Sequence, residues 1–477
     1  MSRIVIQLFL LFIFNLSGFS VCFAGESRTE RLSLNEFITL AAQKDTAFEK
    51  ILIDELIINY QKDLNLPAGD LLLTVKHNHD FFLADDRSSP STEISLDKLF
   101  PETGTEIDLS YEVGASMTSA TRSSRINFNV SQPVARNAFG RSTRLLDQIV
   151  GLEMEVARHQ VIEAYEDYLA LLTTAYCEWY EAWLNHNIGR SSYQENQKLL
   201  DDIRKRQQQN IALPIDVNKV ELQVLAKKER LLELEESLKN SLQLIKTVIR
   251  YDDNVDIFPV EPEDFIVLED SFEDIFTRFE KESRTFAILK TLEEKSSLQV
   301  EKDAEDLFPS IDLVAGYEVQ GEGYGLENSG DKIYAGVKVE WPFTRRVKKA
   351  EHEIARVLAT KSKLETENTW YRLYSQLTSL YLEIEREAKL IKVADDKISL
   401  SRSILKDETE NYSFGKVTLN DYIQAVNILD TNRFNKVRHE SLHRKLLVEW
   451  LRLMDMMVSR KSIKRPAGFS RFKQDRK

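Results

Sequence analysis

The chain has little cysteine, glycine and proline, and it has no excess of basic charge. Its 477 residues include 2 cysteines, 16 glycines and 10 prolines, while 30% of the residues are charged. So few cysteines exclude a disulfide framework. Scarce helix-breaking residues together with abundant charge favour long helices over a loop-rich fold. The net charge of -13 argues against a nucleic-acid partner, which needs a basic face.

An apolar run lies at the N terminus. Residues 4–14 are apolar apart from a single glutamine, and they follow the positively charged Arg3. Small residues at Cys22 and Ala24 suit cleavage after Ala24, and the run is too short to span a bilayer as a helix. We therefore predict that residues 1–24 are a signal peptide. A lipoprotein acylated at Cys22 is the alternative, although a bulky valine precedes that cysteine.

The hydrophobic period changes at Pro342. Before it, alternate residues from Ile333 to Trp341 are apolar, which is the pattern of a strand with one apolar face. After it, apolar residues recur from Val347 to Val357 at spacings of three and four, which predicts an amphipathic helix. Proline marks this junction because it has no amide to extend a ladder.

The same change occurs earlier in the chain, at Pro133. The residues around Phe128 alternate between apolar and polar, and helical spacing begins at Leu145. After each proline a long stretch without strong breakers leads to a short tip and a second helix. In the first of these second helices an apolar heptad is interrupted by Lys227 and Ser241. We therefore predict two antiparallel helical hairpins, each entered directly from a strand.

The two halves of the chain differ in their number of strands. Alternating segments between residues 71 and 132 predict up to four strands in the first half, against two between 311 and 341 in the second. The sequence does not decide whether the extra hairpin lies in the sheet. The predicted division is a signal peptide at 1–24, a first structural repeat at 25–255, a second at 256–458, and a basic, disordered tail at 459–477.

Strands as long as the one predicted from Ile333 to Trp341 are long enough to be tilted transmembrane β-strands. Without the extra hairpin each half supplies two strands, so the chain supplies four. Four strands are too few to close a barrel, and lipid does not tolerate open sheet edges. Three copies would supply twelve strands, an even number that encloses a lumen. The fold class that we predict is an α+β membrane protein, in which a trimeric twelve-stranded barrel with four strands per chain continues into a long helical coiled-coil tunnel.

Several short segments are distinctive in their order and duplication, and they are LSLNEFITLAAQKD, SQPVARNAFGRS, VEWPFTRR, IALPIDVNKVELQV and YSFGKVTLNDYIQAVNIL. In these segments, and over nearly its whole mature length, the chain resembles the TolC-like outer-membrane efflux proteins. The resemblance implies a homotrimer in the outer membrane of a Gram-negative bacterium, with a periplasmic extension. It also implies no enzyme activity and no cofactor. The implied partners are outer-membrane lipid, a periplasmic adaptor and an inner-membrane transporter.

The resemblance also implies a periplasmic entrance at the two hairpin tips. Asp421 would form a ring of three carboxylates in the trimer, although Gln424 stands where a second acid is common. Gly415 turns the second tip six residues before Asp421. In the first tip Asn210 stands six residues before Asp216, and asparagine is the best substitute for glycine in a left-handed turn.

Charges of opposite sign approach the two tips. Arg204 and Arg206 precede the first tip, and Asp407 and Glu408 precede the second. If they lie at matched depth on adjacent hairpins, they could hold the entrance shut, and an adaptor would open it by competing for them. Tyr412 is the other candidate gate residue beside Asp421.

Two other classes of protein stay open. A soluble periplasmic adaptor also has helical hairpins, but it would have one hairpin flanked by β domains. The segment HESLH at 439–443 matches the zinc-hydrolase pattern HExxH. It lacks a third ligand at a familiar spacing, so the sequence favours exposed helix residues over a zinc site.

Overall fold

The computed structural model describes residues 29–82, 87–115, 122–251, 255–263 and 271–458. The predicted signal peptide, with Cys22, and the predicted basic tail lie outside these residues. The chain divides into two compact units. Unit 1 comprises Met1–Asp45, Leu171–Phe265 and Ala388–Lys445, and unit 2 comprises Thr46–Ala170, Ile266–Glu387 and Leu446–Lys477.

The elements of the first half begin with a short strand and three short helices. These are β1 (Thr29–Leu32), α1 (Leu34–Lys44), α2 (Thr46–Ile58) and α3 (Gln61–Asn65). Four strands follow, β2 (Leu71–Phe82), β3 (Arg87–Phe100), β4 (Thr105–Ala115) and β5 (Arg122–Pro133). A 3-10 turn at Ala138–Gly140 then leads into two long helices, α4 (Arg141–Gln208) and α5 (Pro214–Ile249).

The described elements of the second half follow a similar order, with two strands and one short helix fewer. It begins with β6 (Asp256–Pro259), α6 (Phe272–Glu282) and α7 (Arg284–Glu305), and continues with β7 (Ser310–Glu322) and β8 (Glu327–Glu340). It ends with α8 (Arg346–Ser413) and α9 (Leu419–Leu453). The long helices α4 and α8 have 68 residues each, or about 100 Å at the usual helical rise. In the described part of the chain, no helix is long and apolar enough to cross a membrane.

Unit 2 contains an antiparallel sheet of six strands in the order β2-β3-β4-β5-β7-β8. The expectation of four strands per chain is therefore wrong for this sheet, because the extra hairpin β2–β3 pairs with β4 and continues it. The serines and Pro90 in the segment at 85–91 are typical of a turn. In the structure β3 already begins at Arg87, and Pro90 lies opposite His79.

The sheet has one apolar face and one polar face, as the alternation of its strands requires. Cross-strand pairing brings one apolar side chain of each strand into a continuous row, which is Leu73, Leu96, Leu109, Phe128, Tyr317 and Ile333. The adjacent row on the other face is Thr74, Ser95, Ser110, Asn127, Glu318 and Lys332. The apolar face is exposed in the single chain, with Leu73 at 60% and Ile333 at 85%.

The core of unit 1 lies around a short parallel pairing of β1 with β6. Tyr176 of α4 is fully buried, and its hydroxyl lies 2.7 Å from the carbonyl oxygens of Leu32 and Val260. The Val260 amide donates to the same hydroxyl at 2.9 Å. These hydrogen bonds connect both strands to one turn of the long helix. Trp179 packs edge-on against Tyr176 in the same turn.

Candidate functional site

The two hairpin tips, both in unit 1, have the same backbone geometry. Asn210 and Gly415 both adopt a left-handed conformation, with φ of 59° and 69°, as the sequence predicts. In the first tip the Ile211 amide donates to the Arg206 carbonyl at 2.8 Å, and in the second the Lys416 amide donates to the Asn411 carbonyl at 2.9 Å. Each long helix therefore ends in the same hydrogen-bonded cap.

Asp216 and Asp421 have equivalent positions at the starts of α5 and α9. The Asp216 carboxylate accepts from the Leu213 amide at 3.1 Å. The Asp421 carboxylate accepts from the Thr418 amide at 3.0 Å and from its hydroxyl at 2.7 Å. These bonds from Thr418 lower the pKa of Asp421 below its ordinary value. Asp421 is therefore an exposed, charged helix cap, and its part in an entrance ring stays a prediction.

Aromatic contacts join the two tips. The Arg206 guanidinium lies 5.0 Å from the centre of the Tyr412 ring. Tyr412 stacks on Tyr422 with ring centres 5.7 Å apart and planes 18° apart. Burial raises the pKa of both tyrosine hydroxyls, so both rings are neutral near pH 7. Below them an apolar cluster of α4, α5 and α9 includes Ile203, Val220 and Leu419.

The predicted pairing of arginines with acids at the tips is not formed within one chain. Arg204 instead lies 3.6 Å from Glu221 of its own hairpin. Among the described residues no ion pair joins Arg204 or Arg206 to Asp407 or Glu408. One carboxylate oxygen of Glu408 is buried without a hydrogen-bond partner in the described chain. A pairing of these acids with arginines of another copy stays a prediction.

A buried charge pair that the sequence analysis did not find ties the hairpins together farther from their tips. Asp430 of α9 is 3% exposed, and it accepts from Lys227 of α5 at 2.7 Å and from the hydroxyl of Ser192 of α4. Gln223 donates to Asn427 at 2.7 Å one turn closer to the tips. The signal in the sequence was Lys227 itself, because a lysine in an apolar heptad position needs a buried acid.

The HESLH segment lies within α9, where its side chains take part in helix packing. The Ser441 hydroxyl donates to Glu181 of α4 at 2.5 Å, and Glu440 lies 3.4 Å from Lys436. Across the residues that the structure describes, no three histidine, cysteine, aspartate or glutamate side chains are placed to hold a metal ion.

The fold is that of outer-membrane channel proteins, which confirms the class of fold that the TolC-like resemblance implies. One solved structure that it resembles is the outer membrane protein VceC of Vibrio cholerae, with 13% identity and a TM-score of 0.65 over 88% of this chain and 95% of that chain. Another is the CmeC outer membrane channel of Campylobacter jejuni, with 11% identity and a TM-score of 0.66 over 90% of this chain and 86% of that one.

A third similar structure is the open state of the MtrE outer membrane channel of Neisseria gonorrhoeae. Its identity is 12% and its TM-score 0.64, over 88% of both chains. No family model and no curated protein sequence matches this chain.

Proposed function

We propose that this protein is an outer-membrane channel that serves as the exit duct of a tripartite efflux or type I secretion system. It passes small molecules or proteins delivered by an inner-membrane pump through a periplasmic adaptor. The observation that carries the proposal is the apolar face of the six-stranded sheet, whose large side chains are exposed in the single chain. The shared fold of the solved channels supports the same function.

The proposal includes closure of the sheet into a barrel by copies of the same chain. The described sheet has two free edges, β2 and β8, and free edges are not tolerated in lipid. The long helices then form the periplasmic part of the duct. Asp216, Asp421, Arg204, Arg206, Tyr412 and the acids Asp407 and Glu408 line or close its entrance.

We expect the protein to fractionate with the outer membrane and to run as a trimer that survives mild detergent and dissociates on boiling. The physical reason is that hydrogen bonding between sheet edges of three copies leaves no backbone groups unpaired in lipid. A detergent-free wash is the control, because it would release a soluble periplasmic adaptor. A stable monomer in the outer membrane would contradict the proposal, and metal analysis of the purified protein tests the alternative of a zinc hydrolase.

An Asp421→Asn variant should show a severalfold lower preference for cations in planar bilayers and weaker block by multivalent cations, since a carboxylate ring favours cations. Because the pKa of Asp421 in the wild type is lowered, the wild-type selectivity should persist as the pH falls to the ordinary aspartate pKa of 3.8. Asp216→Asn is the matched control, since it removes an equivalent cap from the other tip. Equal selectivity of the wild type and both variants would leave Asp421 with a capping role alone.

A further inference from the structure

The β2–β3 hairpin is the one pair of strands that breaks the symmetry between the two halves of the described chain. Its strands have 12 and 14 residues, as long as β4 and β5 with 11 and 12. About 9–11 tilted residues cross a bilayer, so the hairpin is long enough to do so. A short loop or an edge cover would not need this length.

Both faces of the sheet continue into the hairpin without a change of register. On the apolar face Leu73 and Leu96 extend the row of Leu109, and Val75 and Ile94 extend the row of Tyr111. A slip of one residue would have reversed the two faces. The hairpin therefore meets the same surroundings on each side as the four strands beside it.

The charges of the hairpin lie on the face opposite these apolar rows, except for Lys98, which stands in the row of Leu71 and Ile107 near the end of β3 and donates to the Gly69 carbonyl. Lys76 lies opposite Glu93, and Glu93 lies opposite Glu112 of β4. Asp97 in turn lies opposite Asp108. Carboxylates that face one another repel, and such pairs are tolerated in water with counterions rather than in hydrocarbon. This face fits a water-filled lumen.

The apolar face of the hairpin is open in the single chain. Leu73 and Val75 are 60% and 63% exposed, and Phe81, near the far end of the strand, is 72% exposed. Ile333 and Val337 of the opposite edge strand, β8, are equally open. One apolar surface thus runs from edge to edge, which is what the acyl chains of a bilayer require of a barrel wall.

We propose that the β2–β3 hairpin lies in the bilayer as part of the barrel wall, and that its free edge β2 pairs with β8 of a neighbouring copy. This inference rests on the proposed channel function. Neighbouring strands are antiparallel throughout the sheet, so β2 and β8 run in opposite directions and can join as another antiparallel pair. Three copies then close eighteen strands, with a lumen about half again as wide as twelve strands would give.

Pairs of cysteines on the polar face test which strand meets β8 of the next copy. Thr74→Cys and Ser110→Cys place a thiol on β2 and β4 in the same row, and each is combined with Lys332→Cys or Lys338→Cys on β8. The buried natural thiol is removed by Cys177→Ala. A short bismaleimide should link the β2–β8 pairs into dimers and trimers on denaturing gels and leave the β4–β8 pairs monomeric.

The outcomes separate this inference from the channel function. Links from β4 to β8, or trimers that are not linked through β2, would place the hairpin outside the wall and overturn the inference, with the channel intact. Absence of trimers from the outer membrane would overturn the channel function itself.

As a second measurement, a membrane-impermeant maleimide should label Thr74→Cys and spare Leu73→Cys. Equal labelling of both would place the hairpin in water and overturn the inference. Ser110→Cys and Leu109→Cys are the control, because β4 belongs to the wall whether or not the hairpin does.

Discussion

An Arg284→Met variant should lose about 3–5 kcal/mol of stability at neutral pH, the usual cost of removing one partner of a buried ion pair. Arg284 begins α7, and its guanidinium bonds to Glu166 of α4 and lies 3.3 Å from Asp455. The side chain of Glu166 is only 2% exposed. Methionine preserves much of the arginine's volume, so the loss isolates the uncompensated carboxylates.

The pH dependence of this loss gives a second check. Burial raises the pKa of Glu166 above its ordinary value of 4.5, and Arg284 opposes that shift. Without Arg284 the pKa rises further, so the folded variant binds a proton that the unfolded chain does not. Its stability then falls as the pH rises from 4.5 through the raised pKa. The deficit should therefore be smallest in acid.

The measurement is thermal unfolding in detergent, monitored by circular dichroism at several pH values. The double variant Arg284→Met with Glu166→Gln is the control, because it removes the charge that the single variant leaves buried. We expect the double variant to recover most of the lost stability. A deficit below about 1 kcal/mol, typical of exposed pairs, or one that does not change with pH would contradict the account.

The sequence predicted those elements whose signals are local. The change of hydrophobic period at Pro133 and Pro342 located both junctions between strand and long helix. The sequence located the two tips, and the resemblance implied a left-handed residue six positions before a capping acid, as found at Asn210 and Gly415. Both features act within about one turn of chain.

Features that depend on pairing between distant segments were not predicted. Lys227 and its partner Asp430 are 203 residues apart, so the lysine appeared as an interruption of the heptad. The place of β2–β3 in the sheet depends on which strand it pairs with, and alternation alone does not give the partner. At the tips, opposite charges indicated ion pairs, whereas the single chain places an aromatic ring beside Arg206.

An Arg206→Glu variant should leak in its resting state. Arg206 of the first hairpin lies on the ring of Tyr412 of the second, and Tyr412 stacks on Tyr422. A cation–π contact of this kind contributes about 0.5–1 kcal/mol at exposed sites. Three copies acting on one two-state entrance would shift its open population roughly 10- to 100-fold, and glutamate also repels the negative face of the ring.

Arg204→Glu is the matched control, because it makes the same change of charge two residues away, where the arginine faces Glu221 of its own hairpin. We expect Arg206→Glu to raise resting conductance in planar bilayers and to admit large antibiotics into cells, and Arg204→Glu to leave both near the wild type. If both variants leak, and Asp407→Lys with Glu408→Lys reseals them, ion pairs between copies hold the entrance and the aromatic contact does not. If neither variant leaks, the contact of Arg206 with Tyr412 does not hold the entrance closed.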